Sequence, residues 1–392
     1  MSPSEVSPRH VGAGGELTID LDAIVANWKL LAGRLRPDAR CGAVVKADAY
    51  GLGMAPVARA LWAAGCRTFF VALPDEGMAL RAALADGAAP PARESVATAT
   101  AEAEICVFNG PDRSSAAVMA DARLTPVLNH LGQARVWSDT AASAPLPAWL
   151  HVDTGMTRLG FDEAEAAKIA ADPACLSGIR VEAIMSHLAC ADQPSHGLND
   201  EQRRRFESVL ERLASLHPPR RSLANSSGIF LGPDYHYDLV RPGAALYGVA
   251  PQRTAPNPMA QVVNLKGKIL QTHVIDTPRS VGYGATHRAE RGRRVATVAV
   301  GYADGYFRAL SGSARAHVGQ TPVQVIGRVS MDLITVDVTD VPESDVRPGD
   351  FVDLIGPLHT VDDLAREAGT IGYEVLTSLG PRYARRYLGA AA

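Results

Sequence analysis

Cysteine is scarce in this chain, and its placement excludes two kinds of stabilising site. Only 5 of the 392 residues are cysteines, and no two of them form a C-x-x-C pair. A disulfide framework or a structural zinc site needs an even or closely paired set of cysteines, so neither is expected. We therefore place the chain in a reducing compartment, the cytoplasm, and predict no metal site.

The chain also lacks an excess of basic residues and any long apolar run. Lysine and arginine number 39 against 42 acidic residues, which gives a formal net charge of −3. Because no basic excess attracts phosphate groups, neither nucleic acid nor a membrane surface is expected as a partner. The absence of a run of about 18 apolar residues argues against a membrane-spanning helix.

Strand-like and helix-like segments alternate over most of the chain. They follow residues 1–15, which are small and polar and which we predict to be a disordered tail. This stretch lacks the apolar run of a signal peptide. The alternation predicts a parallel sheet covered by helices. The tract has the length of a (β/α)8 barrel, but periodicity does not distinguish a barrel from an open doubly wound sheet. Predicted strands include TFFVAL, AEICVFN, AWLHVD, VEAIMSHL and AALYGV.

The pattern changes after the linker-like stretch PQRTAPNPMA at residues 251–260. Beyond it, short strands are separated by turns that contain glycine, proline and aspartate, and long helices are scarce. We therefore predict an α/β chain, with a (β/α)8 TIM-like barrel over residues 16–260 and a mostly-β domain over residues 261–392.

Lys46 follows a short apolar run in the motif AVVKADAYG. In a barrel, such a strand end points into the active site. A lysine that is desolvated there has a depressed pKa and can form a Schiff base. The alternative is a lysine whose stem packs on apolar surface while its ammonium reaches water.

Polar residues follow several other apolar runs, so their side chains are expected at the same barrel mouth. Tyr50, Ser226 and the backbone N–H groups after Pro242 can hold a phosphate. His187 can lie against an aromatic ring, and Arg241 can donate to a ring nitrogen. The full set is Lys46, Tyr50, Arg158, His187, Asn225, Ser226 and Arg241.

The order of the motifs resembles the alanine racemase family from about residue 16 to residue 388. Each motif alone is weak, whereas the whole series in order is specific. The matching motifs are AVVKADAYG, HVDTGMTRLG, SHLACAD, ANSSG, RPGAALYG, GYGATH, GYADGY, SMD and GYEVL.

The resemblance implies a homodimer with shared active sites that racemises alanine with pyridoxal 5′-phosphate. Lys46 would bind the cofactor covalently and take the proton from D-alanine, and Tyr283 of the partner chain would take it from L-alanine. Arg158 would bind the cofactor and the substrate carboxylate, with Met331, Tyr302 and Asp332 contributing from the partner. The other expected cofactor contacts are Tyr50, His187, Asn225, Ser226, Arg241, Gly243, Ala244 and Tyr373.

Two positions depart from the family pattern. His151 stands where many members have a carbamylated lysine that neutralises the arginine matching Arg158. Histidine cannot form that carbamate, so we predict either a neutral His151 that accepts a hydrogen bond from Arg158 or a bound anion such as chloride. Ser222 replaces a histidine found in some members, which leaves the support of Arg241 open.

Three other functions compete with this interpretation, and the motifs count against two of them. A broader small-amino-acid racemase acting on serine would use the same residues with a roomier entrance. A fold-related decarboxylase would pair the pyridine nitrogen with an acidic residue, whereas this chain offers Arg241. A non-catalytic pyridoxal-phosphate carrier would keep the barrel but would not need Tyr283, Met331 or Tyr373.

Overall fold

The computed structural model describes residues 12–85 and 102–389. The predicted tail lies outside these residues up to residue 11, and its last residue instead begins strand β1 (Gly15–Asp20). Helix α1 (Leu21–Ala32) follows at once. The Asp20 carboxylate caps it by accepting a hydrogen bond from the Ala23 N–H at 2.8 Å. The helical spacing of apolar residues from Leu21 onward predicted this helix.

A barrel of parallel strands follows. Its strands are β2 (Arg40–Cys41), β3 (Ala43–Val44), β4 (Thr68–Val71), β5 (Glu104–Val107), β6 (Thr125–Leu128), β7 (Leu146–His151), β8 (Ile179–Met185), β9 (Arg221–Ser222) and β10 (Leu239–Val240). Strands β3 to β9 form one sheet in chain order, and β10 pairs with β2. The Arg241 N–H donates to the Ala224 carbonyl at 2.9 Å and joins β10 to the end of β9. The sheet therefore closes, which confirms the TIM-like barrel and excludes the open sheet.

Helices alternate with these strands and cover the barrel. The first segment, α2 (Lys46–Gly51), is a short turn with left-handed backbone angles at residues 47–50. The helices are α3 (Met54–Ala63), α4 (Pro74–Ala85), α5 (Ala116–Asp121), α6 (Leu131–Thr140), α7 (Glu163–Ala171) and α8 (Leu198–Arg212). All four residues of β4 are buried, as expected for a parallel strand covered on both faces. In the described part of the chain, no helix is long and apolar enough to cross a membrane.

One predicted strand is wrong. The segment AALYGV contains a 3₁₀ helix, Ala244–Tyr247, in which every residue is buried. A segment that is apolar on all sides has no period that separates helix from strand, so the sequence pattern could not identify it. The turn follows β10 and lies at the carboxyl end of the barrel.

A mostly antiparallel β domain follows the barrel, as predicted. Its strands are β11 (Val263–Val274), β12 (Arg279–Val281), β13 (His287–Ala289), β14 (Arg294–Val298), β15 (Arg315–Val318), β16 (Thr321–Ile326), β17 (Ile334–Asp337), β18 (Phe351–Ile355) and β19 (Ala384–Leu388). The pairing order β14-β17-β16-β15-β18-β11 closes on itself, because β11 also pairs with β14. Two helices precede β19, namely α9 (Val361–Ala368) and α10 (Gly372–Ser378), and α10 packs against α2.

The first strand belongs to this second sheet. Strand β1 pairs antiparallel with β11 and parallel with β19. The predicted division, which assigned residues 16–260 to the barrel, therefore differs from the observed pairing at its start. Alternating apolar residues predict a strand but do not identify the sheet that receives it.

Candidate active site

Lys46 is presented by a left-handed turn that follows β3. The residues 47–50 all have φ between 52° and 58°, a conformation that costs roughly 1–2 kcal/mol per residue when glycine is absent. The Ala49 N–H donates to the Val45 carbonyl at 2.9 Å, and the Met54 N–H donates to the Asp48 carboxylate at 2.7 Å. Backbone strain of this kind clusters at functional sites, where surrounding contacts hold it.

A cavity of about 610 Å³ opens at the carboxyl ends of the barrel strands, between the barrel and α10. Its lining includes all the cofactor-binding residues predicted from the sequence. They are Lys46, Tyr50, Arg158, His187, Asn225, Ser226, Arg241, Gly243, Ala244 and Tyr373. A concave site that collects polar groups from several strand ends is the expected form of a barrel active site.

The Lys46 amine is half-buried in this cavity. Burial lowers its pKa below the ordinary value, the Arg158 cation lowers it further, and the Glu76 carboxylate opposes both effects. Its Nζ lies 5.8 Å from the centroid of the Phe108 ring. A lysine with a lowered pKa is more often neutral near pH 7, and the neutral amine is both a nucleophile and a base.

One wall of the cavity is built to receive an anion. The Ser226 Oγ accepts hydrogen bonds from the N–H groups of Gly243 and Ala245 at 2.9 and 3.2 Å. Because a hydroxyl has two lone pairs and one hydrogen, Ser226 remains able to donate. A Cβ on Gly243 would lie 2.4 Å from the Tyr50 hydroxyl, so glycine is required for this close approach. The Tyr50 and Tyr373 rings lie 6.0 Å apart across the same wall.

Arg241 is buried beneath the cavity. Its Nη2 donates to the Ser186 carbonyl at 2.5 Å, and its Nη1 donates to the Ser222 hydroxyl, which in turn donates to the Leu239 carbonyl at 2.6 Å. Ser222 therefore supplies the support that the sequence left open. Burial lowers the pKa of Arg241 to about 9. Its Nε is buried and has no hydrogen-bond partner in the described structure.

His187 lies beside Arg241 at the end of β8. Its pKa falls well below the ordinary value, first because of burial and then because of the Arg241 and Arg158 cations. A neutral imidazole at this position can pack flat against an aromatic ring. The buried Gln202 side chain fixes the strand end, since it donates to the His187 carbonyl and accepts from the Ala189 N–H, both at 2.9 Å.

His151 is buried at the end of β7. It lies next to Asn129, the residue that directly follows β6. The Asn129 Nδ2 donates to the carbonyls of Phe108 and Val127 at 2.9 and 3.0 Å, which directs its Oδ1 to His151 Nδ1 at 2.8 Å. The proton of a neutral His151 is therefore on Nδ1, and Nε2 carries a lone pair. Burial and the Arg241 and Arg158 cations lower the pKa of His151 to about 4. The neutral form predicted from the sequence is thus favoured.

Arg158 stands on the loop after β7. The Asp153 Oδ1 accepts hydrogen bonds from the N–H groups of Gly155, Met156 and Thr157 at 2.9, 3.0 and 3.1 Å. These bonds fold the loop back and direct the exposed Arg158 side chain to the mouth of the cavity. A planar guanidinium in this position can bind a carboxylate with two parallel hydrogen bonds.

Some contributors to the site were not predicted. Phe108 lines the cavity, as do Thr370, Ile371, Glu374 and Thr377 in and before α10. Phe108 lies at the end of the predicted strand AEICVFN, two residues after Cys106, and Lys46 lies two residues after Val44, which has the same register position. Strand-end position was therefore a usable signal. The backbone-holding roles of Asp153, Asn129 and Gln202 had no such signal, because they depend on loop conformation.

Four predicted residues do not line this cavity. Tyr283, Tyr302 and Met331 are 73%, 43% and 54% exposed on the β domain, and Asp332 is also exposed. We call this surface the β-domain face. Tyr283 is at the tip of the β12–β13 hairpin, where the flanking glycines have φ of 73° and 70°.

The β-domain face is internally ordered despite its exposure. The N–H groups of residues 302 and 303 donate to the carbonyls of Ser330 and Met331, both at 3.0 Å. Arg382 bridges two carboxylates, the buried Asp304 at 2.6 Å and the exposed Asp332 at 2.7 Å. The two loops that carry Tyr302 and Met331 are therefore joined into one surface.

Comparison with known proteins identifies the family. Residues 19–251 match the alanine racemase N-terminal domain, and residues 262–387 match the alanine racemase C-terminal domain. The chain belongs to the alanine racemase family. The alanine racemase of Rhodospirillum rubrum is 51% identical over 375 residues, covering 95% of this chain and 96% of the relative.

Other family members match over nearly the same length. The catabolic alanine racemase of Mesorhizobium japonicum is 45% identical over 97% of this chain and 95% of its own. The crystal structure of Bartonella henselae alanine racemase with covalently bound pyridoxal phosphate has a TM-score of 0.86 and 38% identity, covering 96% of this chain and 100% of that one. Alanine racemases are pyridoxal-phosphate-dependent isomerases.

The residues of the cavity fit this cofactor. A pyridine nitrogen needs a donor, and the buried Arg241 Nε is one without a partner. A phosphate needs hydrogen-bond donors, and the hydroxyls of Ser226 and Tyr50 lie at one wall of the cavity. An aldehyde reacts with a neutral amine, and the lowered pKa of Lys46 increases the share of that form.

Proposed function

We propose that this chain interconverts L-alanine and D-alanine with pyridoxal 5′-phosphate attached to Lys46. The observation that carries the proposal is the cavity itself, in which Lys46, Arg241 and Ser226 face the same space with an amine, an unpartnered Nε and a hydroxyl donor. The fit of these groups to the aldehyde, ring nitrogen and phosphate of the cofactor supports it.

Racemisation requires a base on each face of the carbon that loses its proton. When bound, pyridoxal phosphate supplies an electron sink that makes this proton acidic. On one face, Lys46 Nζ takes the proton of D-alanine and returns it in the opposite direction. On the other face, the phenolate oxygen of the partner subunit's Tyr283 takes the proton of L-alanine and, as the hydroxyl, returns it in the opposite direction.

The exposure of the β-domain face supports a homodimer with shared active sites. Tyr283, Tyr302 and Met331 are exposed and do not line this chain's own cavity. In a two-fold dimer the same surface on each copy can complete the site of the other. Asp332 would then lie at the edge of that shared site.

Arg158 is proposed to bind the substrate carboxylate at the cavity mouth. Its loop is held by Asp153, so the guanidinium is positioned before the substrate enters. His151 is buried near the Arg158 and Arg241 cations, and its bond to Asn129 fixes the Nδ1–H tautomer. We propose that its Nε2 acts as a neutral hydrogen-bond acceptor on this side of the site. We propose no carbamylation at His151.

The cellular role proposed is supply of D-alanine for peptidoglycan in the cytoplasm. Relatives include one named as a catabolic enzyme, so this role needs its own test. Deletion of the gene is expected to create a requirement for D-alanine. Growth of the deletion strain without D-alanine would assign the chain a dispensable role.

The activity is tested with L-alanine in heavy water, followed by chiral separation and mass analysis. D-alanine with one deuterium at Cα is the expected product. Deuterium in L-alanine without inversion would mean that only one base acts. Absence of exchange despite bound cofactor would contradict the proposal and favour a carrier. Repeating the assay with L-serine distinguishes a narrow from a broad racemase.

A further inference from the structure

Glu76 is close to Lys46 but has no role in the proposed mechanism. It lies in the first turn of α4, and its carboxylate accepts three backbone hydrogen bonds. The Ala47 N–H donates to Oε1 at 2.6 Å, and the N–H groups of Ala72 and Leu73 donate to Oε2 at 2.8 and 3.1 Å. A single carboxylate therefore joins the residue after Lys46 to the residues after β4.

This contact acts at the first residue of the left-handed turn. Ala47 has φ of 52°, and the three residues that follow are also left-handed. A run of L-residues in this conformation is strained and persists where surrounding contacts hold it. Asp48 ties the far end of the turn by accepting from the Met54 N–H at 2.7 Å. Glu76 ties the end that carries Lys46.

We propose that Glu76 is a positioning residue that holds Lys46 in the orientation needed for cofactor attachment, by clamping the Ala47 N–H to the end of β4. The inference rests on the proposed function, because it takes Lys46 as the attachment point. Glu76 itself touches neither the substrate nor the cofactor in this assignment.

The charge of Glu76 adds a second effect. The charged groups that face Lys46 are Arg158 from the loop after β7 and Glu76 from α4, with the His187 imidazole and the Phe108 ring also nearby. Arg158 lowers the pKa of Lys46 and Glu76 raises it. Removal of the carboxylate is therefore expected to move the pKa of the free Lys46 amine downward.

The test compares Glu76→Ala with a matched control, Glu165→Ala. Glu165 also lies in the first turn of a barrel helix, α7, and its Oε1 accepts from the Leu131 N–H at 3.0 Å at the start of α6. The apoprotein of each variant is titrated with pyridoxal phosphate. Attachment is followed by absorbance, and borohydride reduction with peptide mass analysis assigns it to Lys46.

We expect Glu76→Ala to bind the cofactor at least tenfold more weakly than wild type, and Glu165→Ala to stay within twofold. An affinity of Glu76→Ala within twofold of wild type would overturn the proposal. So would an equal loss in both variants, because that would indicate a general loss of structure.

If Glu76→Ala does not fold, Glu76→Gln decides, because it keeps the side-chain length and removes the charge and one acceptor. We expect cofactor attachment to be at least fivefold weaker. We also expect the acid limb of the attachment–pH curve, where the Lys46 amine becomes protonated, to move to lower pH. Unchanged affinity and an unchanged acid limb would overturn the proposal. Attachment is measured without alanine, so a wild-type protein that binds the cofactor at Lys46 but fails to racemise would contradict the proposed function and leave this inference intact.

Discussion

The barrel cavity and the β-domain face differ in how complete they are within one chain. The barrel cavity brings its predicted residues together, with Arg241 buried and Ser226 held by two N–H groups. The β-domain face orders Tyr283 and Met331 but leaves them exposed. The barrel cavity is thus a preformed binding site, whereas the β-domain face is a surface that we expect to contact a second copy of the chain. Substitutions in the two regions should therefore have different consequences.

The largest effect is expected at Lys46. Lys46→Ala removes both the amine that attaches the cofactor and one of the two bases, so racemisation should fall by about 10⁴-fold or more. The measurement is initial rate in both directions with saturating pyridoxal phosphate. Since Lys46 is a half-buried side chain at a strand end, the melting temperature of the apoprotein should change little. Residual activity above a hundredth of wild type would assign attachment to another group.

Tyr283→Phe should have the next largest effect, because it removes one hydroxyl from an exposed side chain. Racemisation is expected to fall by about 10²–10⁴-fold, with no change in the free energy of unfolding. Cofactor attachment to Lys46 should persist. A loss of cofactor binding in this variant would contradict the division between the two regions.

Mixing the Lys46→Ala and Tyr283→Phe chains tests whether the two regions meet across a dimer. If they do, a mixed dimer contains one intact site, and random re-association should restore about a quarter of wild-type activity. The mixture is denatured together, refolded and assayed against each variant refolded alone. Failure to recover activity would mean that Lys46 and Tyr283 of the same chain act together.

Gly243→Ala tests the close packing of the barrel cavity. The new Cβ would lie 2.4 Å from the Tyr50 hydroxyl, so the wall of the cavity that carries Tyr50 and Ser226 must shift. We expect a loss of about 1–3 kcal/mol in the free energy of unfolding and about tenfold weaker cofactor binding. Gly197→Ala is the control, because nothing lies within 4 Å of its Cβ position. Equal behaviour of the two variants would refute the packing argument.

The smallest effect concerns His151 and acid. Its pKa is about 4 in the folded chain and about 6.5 when unfolded. Below pH 6.5 the unfolded state binds the extra proton, so the free energy of unfolding falls as pH falls, by about 2 kcal/mol at pH 5 for this group. His187 contributes with the same sign. The measurement is the free energy of unfolding from urea titrations at pH 7 and pH 5. It should change less between these two pH values in His151→Gln than in wild type, and an equal change in both proteins would contradict this.

The difference between the regions also explains what the sequence could predict. Strand-end positions identified Lys46, Arg158 and Arg241, because a parallel barrel directs such residues to one mouth. The two-domain architecture followed from the change in periodicity after residue 260. The placement of β1 in the second sheet could not be predicted, since local alternation does not specify a distant partner strand.

The contacts that hold loops in place could not be predicted from the sequence either, for a related reason. Glu76 and Asp153 act on backbone N–H groups, and these are available only after the loop has adopted its conformation. The left-handed turn after Lys46 contains no glycine at residues 47–50, so its composition gave no indication of positive φ. The tautomer of His151 likewise depends on Asn129, which is remote in sequence.

The pairing of β1 with β19 has a consequence for biosynthesis. Glu16 is aligned with Ala384, so the parallel partner of β1 is synthesised long after β1 itself. At ~5–20 residues per second, β19 is synthesised on the order of 20 to 70 s after β1, and the barrel is made in between. During that interval β1 exposes an unpaired edge of alternating apolar residues. We therefore expect the nascent chain to need protection from edge-to-edge association until β19 pairs with β1.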